Sequence, residues 1–98
     1  MEIHLKKDEI DLIKSIIKKH LNDVEVLVFG SRVKKKPHKY SDLDLLLKGK
    51  EPIPLATLTN LAEDFSDCSL PFKVELVDWN RITPEFQNEV SKEFRRLL

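Results

Sequence analysis

The sequence predicts one α/β (α+β) domain in which a small mixed sheet of about three strands carries helices packed on one face. Two observations predict this fold. Apolar residues recur at helical spacing in three segments, and three other segments are short, apolar and rich in β-branched residues or leucine. The 98 residues contain no linker or low-complexity stretch, so we expect a single domain over residues 1–98.

The predicted elements alternate along the chain. A first helix is expected over 8–21, a second over 54–65, and a third from Thr83-Pro84-Glu85, where a hydroxyl cap precedes proline and an acid. The buried stripe of the third helix is expected to be Phe86, Val90, Phe94 and Leu97. The predicted strands cover 24–29, 42–47 and 72–77, and the polar stretch 34–40 is expected to form a short helical turn and loop.

Composition excludes several classes of protein. The formal net charge is zero although 35% of residues are charged, which gives no global case for nucleic-acid binding. The lone Cys68 excludes an intramolecular disulfide and a multi-cysteine zinc site. No apolar run has the length of a membrane span, and the N-terminus lacks the apolar stretch of a signal peptide. We therefore expect a soluble cytoplasmic protein without a membrane partner.

Three carboxylates are expected on one face of the sheet. Side chains alternate along a strand, so Asp42 and Asp44 share the face opposite to the intervening leucines. Glu75 joins them if the second and third strands are neighbours. Each could be an ordinary surface residue, but three converging acids would repel one another without cations, and oxygen ligands suit hard ions such as Mg²⁺.

A turn at the end of the first strand gives these carboxylates a chemical context. Gly30 ends the strand and Ser31 opens a polar turn, a combination that exposes backbone N–H groups and a hydroxyl. Such turns bind phosphate. A phosphate cradle beside metal-binding carboxylates provides the charge neutralisation and positioning that phosphoryl-type transfer requires.

These motifs resemble a known family. Gly30-Ser31-Arg32, the run Ser41-Asp42-Leu43-Asp44 and the acid at Glu75 are similar to those of minimal nucleotidyltransferases, the smallest members of the DNA polymerase β-like superfamily. The resemblance covers roughly residues 24–98. It implies the palm-like nucleotidyltransferase fold and ATP as substrate.

The resemblance also implies site residues. Gly30 and Ser31 would hold the nucleotide phosphates, and Asp42, Asp44 and Glu75 would bind two Mg²⁺ ions and support catalysis. Glu75 stands where the family usually has aspartate. The longer side chain displaces the carboxylate by roughly 1.5 Å.

Two basic residues are further candidates. Arg32 could contact phosphate or form a nearby salt bridge, and Lys73 shares the face of Glu75 and could reach a triphosphate. Asp78 lies three positions after Glu75, so its side chain is expected on the opposite face of the strand. We therefore expect it to be a strand-end or helix-cap residue. Four apolar residues are expected on the helix-free face, where they need cover: Leu27, Phe29, Leu46 and Val77.

Members of this family often pair with a helical partner of the HEPN class in toxin–antitoxin systems, and some transfer AMP from ATP to a tyrosine of the toxin. The resemblance implies that this chain is a Mg²⁺-dependent nucleotidyltransferase acting as such an antitoxin. The alternative is a non-catalytic antitoxin that blocks its partner sterically. Nucleic-acid binding through the basic loop Lys34, Lys35, Lys36 and Lys39 is the weakest hypothesis, because the net charge is zero and no aromatic residues interleave with the lysines.

Overall fold

The computed structural model describes residues 5–30 and 42–98, and their fold is the mixed α/β arrangement expected from the sequence. The described elements are α1 (Lys7–His20), β1 (Glu25–Phe29), β2 (Leu43–Lys48), α2 (Leu55–Asp67), β3 (Val74–Asp78), a 3₁₀ turn (Trp79–Arg81), α3 (Pro84–Ser91) and β4 (Arg95–Arg96). The predicted turn at 34–40 lies outside the described residues. None of the described helices is long and apolar enough to cross a bilayer.

The four described strands form one sheet in the order β3-β2-β1-β4. β1 is antiparallel to both β2 and β4, whereas β2 and β3 are parallel. A parallel pair needs a crossover connection, and α2 provides it. The sequence analysis expected about three strands. The short β4 adds a fourth and covers the edge of β1.

The main core lies between α1, α2 and one face of the sheet. Glu9 caps α1 by accepting a hydrogen bond from the backbone N–H of Lys6 at 2.9 Å. The first helix buries Ile13 and Ile17, and the second buries Leu61 and Phe65. These side chains pack on the strand residues Val26, Val28, Leu43, Leu45 and Leu47, all fully buried. The alternation of β2 therefore directs Leu43, Leu45 and Leu47 into the core and Asp44 away from it.

The third helix differs from the expectation that helices pack on one face. Val90 of α3 packs against Leu27 and Leu46 on the opposite face of the sheet, where Phe29 and Val77 border the cluster. The reason lies in β2, where Leu46 interrupts the alternation and adds an apolar side chain to the second face. These side chains need cover, and α3 covers part of that face.

The predicted stripe of the third helix divides between two environments. α3 ends at Ser91, and the chain then returns to β1 as β4. The N–H of Leu97 donates to the carbonyl of Val26 at 2.7 Å, and the Leu97 side chain enters the main core. Phe94 is 39% exposed. Pairing with the open edge of β1 thus replaces the last turns of the expected helix.

Candidate active site

Asp44 and Glu75 are direct neighbours in the sheet. They are register partners in the parallel pair β2–β3, so their side chains project from the same face. Asp42 lies one residue before β2 and has the same parity as Asp44. The structure therefore brings the three predicted carboxylates to one face, opposite to the main core.

The three carboxylates interact electrostatically. Burial raises the pKa of Asp44, and the negative charges of Asp42 and Glu75 raise it further. The site thus concentrates negative charge on a half-buried carboxyl group. A bound cation would remove this penalty, because an opposite charge at close range favours the ionised form.

Lys73 supplies a positive charge at the rim of this site. Its Nζ lies 2.9 Å from Oε1 of Glu75. The hydrogen bond to Glu75 and the charge of Glu75 raise the pKa of Lys73, with a smaller contribution from Asp42. The Lys73 side chain is 70% exposed, so its ammonium can also meet a ligand that arrives from solvent.

Gly30 is placed tightly against Asp44. It ends β1 directly after Phe29, the register partner of Asp44, and its φ of +75° is one that residues with a side chain rarely adopt. A Cβ built on Gly30 would overlap Oδ2 of Asp44. The glycine is therefore required twice, for its backbone conformation and for the space that it leaves. Ser31 and Arg32, predicted with Gly30 to bind phosphate, lie outside the described residues, as does the basic loop.

The donor set fits a hard divalent cation, although the described side chains are not arranged as ligands. Among residues 5–30 and 42–98, no three His, Cys, Asp or Glu side chains are gathered closely enough to hold a metal ion. Glu75 is instead paired with Lys73. Asp42 and Asp44 nonetheless offer oxygen ligands in a region of excess negative charge, which suits Mg²⁺. Asp42, Asp44 and Glu75 are the residues that would hold it.

Asp78 has a structural role, as its parity predicted. It is 5% exposed, ends β3 and caps the following 3₁₀ turn. Its carboxylate accepts hydrogen bonds from the N–H groups of Ile53 at 2.8 Å and Asn80 at 2.9 Å, and it pairs with Arg81 at 3.3 Å. Each oxygen of this buried acid is thereby satisfied.

One aromatic contact beside the site was not anticipated. The rings of Phe29 and Phe86 meet edge to face with centroids 6.1 Å apart, and Phe86 is 38% exposed. Phe29 is the register partner of Asp44, so the pair forms an apolar wall next to the carboxylates. The sequence analysis placed Phe86 in a buried stripe. Its position beside the site follows from α3 lying on the second face.

Gly30 lies against a row of carboxylates on one face of a mixed sheet, which is the arrangement expected of a nucleotidyltransferase. The family model described as Polymerase beta, Nucleotidyltransferase matches residues 11–98, and the chain belongs to this family. The recognition made from the sequence motifs and the expected enzyme class are both confirmed.

Similar proteins agree with this assignment. The chain is 37% identical over 91 residues to a Haemophilus influenzae protein named "Probable protein adenylyltransferase MntA", covering 93% of this chain and 80% of that protein. A crystal structure of a toxin–antitoxin with AMP-PNP superposes with a TM-score of 0.77 at 19% identity, covering 91% of this chain and 72% of that one. A structure of a tri-AMPylated Shewanella oneidensis HEPN toxin in complex with MNT antitoxin gives 0.71 at 19% identity, covering 91% and 68%. The two structures support the fold.

Proposed function

We propose that this protein is a Mg²⁺-dependent adenylyltransferase that transfers AMP from ATP to a hydroxyl group, a tyrosine, of a HEPN-type toxin, and thereby acts as its antitoxin. The observation that carries the proposal is the side-by-side placement of Asp44 and Glu75, with Asp42 on the same face. The name of the Haemophilus influenzae relative supports the adenylyl donor. The toxin–antitoxin neighbours support the kind of partner. The requirement for ATP and the free thiol of Cys68 suit a cytoplasmic setting.

The reaction exchanges one phosphorus–oxygen bond for another. The acceptor oxygen forms a bond to the α-phosphorus of ATP, the bond from that phosphorus to the bridging oxygen of the β-phosphate breaks, and pyrophosphate leaves with the electron pair. The hydroxyl proton passes to a carboxylate beside the acceptor, and Glu75 is the candidate. Bound Mg²⁺ would neutralise the phosphates and the charge that develops on the leaving oxygen.

The residues of the chain position the reactants. Asp42, Asp44 and Glu75 would hold the cation, and the close approach of Gly30 to Asp44 places the start of the proposed phosphate-binding segment beside the Asp44 carboxylate. Ser31 and Arg32, the next residues in the sequence, are the proposed phosphate ligands. Lys73, exposed at the rim and paired with Glu75, can turn to a phosphate oxygen when the nucleotide enters. The rate gain comes from positioning and electrostatics rather than from a covalent enzyme intermediate.

The test combines the protein with its proposed HEPN-type partner and labelled ATP. The wild type should transfer label, seen as a mass gain of one or more AMP groups on the partner, whereas Asp42→Asn combined with Asp44→Asn should not. Asp67→Asn, an exposed aspartate at the end of α2, is the matched control and should transfer normally. Absence of transfer by the wild type with Mg²⁺ present would refute the catalytic proposal.

A steric antitoxin is the second candidate, and the Lys73–Glu75 ion pair favours it. This pair directs the acid that replaces the usual aspartate toward a lysine. A purely steric antitoxin would neutralise its partner equally well with Asp42 and Asp44 both changed to asparagine. The catalytic antitoxin would lose neutralisation together with transfer.

A further inference from the structure

A groove of about 580 Å³ runs along the outer edge of β3 and reaches the proposed site. α2 lines one wall with Leu55, Leu58 and Ala62, and the edge strand lines the other with Val74, Leu76 and Glu75. Leu55 is 64% exposed at one end of α2. The lining of the groove is mainly apolar, with Thr59 and Ser66 as polar residues on α2, and it meets the Lys73–Glu75 ion pair at the proposed site.

The backbone of β3 along this groove is open to pairing. β3 is the last strand of the described sheet on that side. The N–H of Leu43 donates to the carbonyl of Lys73 at 2.8 Å. Lys73 and every second residue after it, Glu75 and Val77, therefore direct their backbone groups toward β2. In a parallel ladder the alternate residues face the other way. Val74 and Leu76 therefore direct both N–H and C=O groups outward, into the groove.

We propose that this edge binds the acceptor as an extended peptide that adds a strand to β3. This inference rests on the proposed adenylyl transfer and specifies how the acceptor segment approaches. An added strand would lie one strand spacing, about 4.8 Å, from β3. Its residues would alternate between the groove and the face that carries Glu75. The acceptor residue would face Glu75, and the residues on either side of it would enter the apolar groove.

The dimensions and chemistry of the groove favour a peptide over the nucleotide. From Leu55 to Phe65, its wall on α2 spans eleven residues, about 15 Å of helix, which matches four to five residues of extended chain. A single purine would leave most of that length empty. The outward backbone groups of Val74 and Leu76 repeat with the period of a strand, and an added strand would pair with both residues in register. The acceptor sequence is thus predicted to be apolar, hydroxyl-bearing, apolar.

The inference can be tested without catalysis. Two peptides place the same tyrosine in opposite patterns: VSVYVSV puts valine in the groove, and SVSYSVS puts serine there. We expect the first to bind the full-length protein at least ten-fold more tightly and to protect the amides of Val74 and Leu76 from hydrogen exchange. Equal affinity for the two peptides, or no protection of these amides, would overturn the proposal.

Matched variants on α2 locate the binding. Ala62 and Ala56 are both exposed on the helix, but only Ala62 lines the groove. Ala62→Arg should abolish the preference for VSVYVSV and raise the KM for the acceptor protein at least ten-fold, whereas Ala56→Arg should change neither. If Ala62→Arg weakens ATP binding instead, the groove belongs to the nucleotide and the inference is wrong.

Failure of this inference is distinguishable from failure of the proposed function. Preferential binding of VSVYVSV without any AMP transfer would refute the enzymatic proposal and still support peptide binding at the edge of β3. AMP transfer that is unaffected by Ala62→Arg would support the enzymatic proposal and refute binding of the acceptor in the groove.

Discussion

Oδ2 of Asp44 occupies the space that a side chain on Gly30 would need. The two residues lie on neighbouring antiparallel strands, Gly30 at the end of β1 and Asp44 within β2. Their contact connects the start of the proposed phosphate-binding turn to a proposed metal ligand.

Gly30→Ala should therefore damage both stability and activity. The φ of +75° costs a residue with a side chain about 1–2 kcal/mol, and the new methyl group must push the Asp44 carboxylate aside. A displacement of that kind can lower the rate of transfer by about 10²-fold. Single-turnover transfer and denaturant unfolding measure the two effects.

Gly49→Ala is the matched control for this change. A Cβ on Gly49 would meet its nearest atom, Cγ2 of Val24, at 3.5 Å, an ordinary contact. We expect little effect of Gly49→Ala on either measurement. Normal transfer by Gly30→Ala would show that the position of Asp44 is unimportant.

Asp44 should make the stability of the metal-free protein depend on pH. Its pKa is raised in the folded state, so the free energy of unfolding should fall as pH rises from the unfolded value of about 3.9 through the raised folded value. Asp44→Asn should flatten this part of the curve, while the control Asp67→Asn should retain it. Urea unfolding between pH 3 and 7 measures the difference.

At neutral pH, Mg²⁺ should offset the destabilisation that the clustered negative charges of Asp42 and Asp44 cause in the metal-free protein. Without metal, Asp42→Asn with Asp44→Asn should be as stable as the wild type or more so, because like charges are removed. Adding Mg²⁺ should then stabilise the wild type alone, since only the wild type binds it. A large loss of metal-free stability in the double variant would indicate a structural role for the two aspartates.

Changes at Glu75 should separate ligand geometry from charge. Glu75→Asp restores the carboxylate length usual in the family and should raise the rate of transfer. Glu75→Gln removes the charge and should lower it by about 10²-fold. The measurement is single-turnover transfer from labelled ATP to the native partner. If wild type and both variants show no transfer while partner inhibition persists, the steric antitoxin is the correct function.

Asp78 should behave unlike the carboxylates of the site. Asp78→Ala leaves the N–H groups of Ile53 and Asn80 without acceptors and the Arg81 side chain without its anion. The expected loss is about 3 kcal/mol in the free energy of unfolding. The exposed Asp67→Ala should cost far less. A comparable loss for both would contradict the structural role of Asp78.

Local pattern predicted most of the fold and the placement of the acids. The alternation of β2 gave the parity of Asp42 and Asp44, and the parity of β3 distinguished Glu75 from Asp78. Both predictions depend only on nearby positions in the sequence, because successive side chains of a strand point to alternate faces of the sheet.

The parts that were missed depend on contacts distant in sequence. The last residues of the chain pair with β1 through Val26 and Leu97, and that long-range ladder outweighs their helical spacing. The sequence predicted that Leu46 and its neighbours need cover on the second face, but not that α3 provides it, because that packing joins elements distant in sequence. The open groove beside β3 likewise requires knowledge of which strand lies at the edge.

The unit β2–α2–β3 has a consequence for protein engineering. Together with the preceding residue Asp42, it contains the three carboxylates of the proposed site, which are Asp42, Asp44 and Glu75. The connection through α2 leads the chain from β2 to the parallel strand β3 and so determines how Glu75 is placed relative to Asp44. The side-chain parity of β3 relative to β2 depends on the register in which the connection delivers it. A single-residue deletion between Leu70 and Phe72 that shifted this register would exchange the faces of Glu75 and Asp78. Grafting the unit into another sheet would therefore require its connections to be transferred whole.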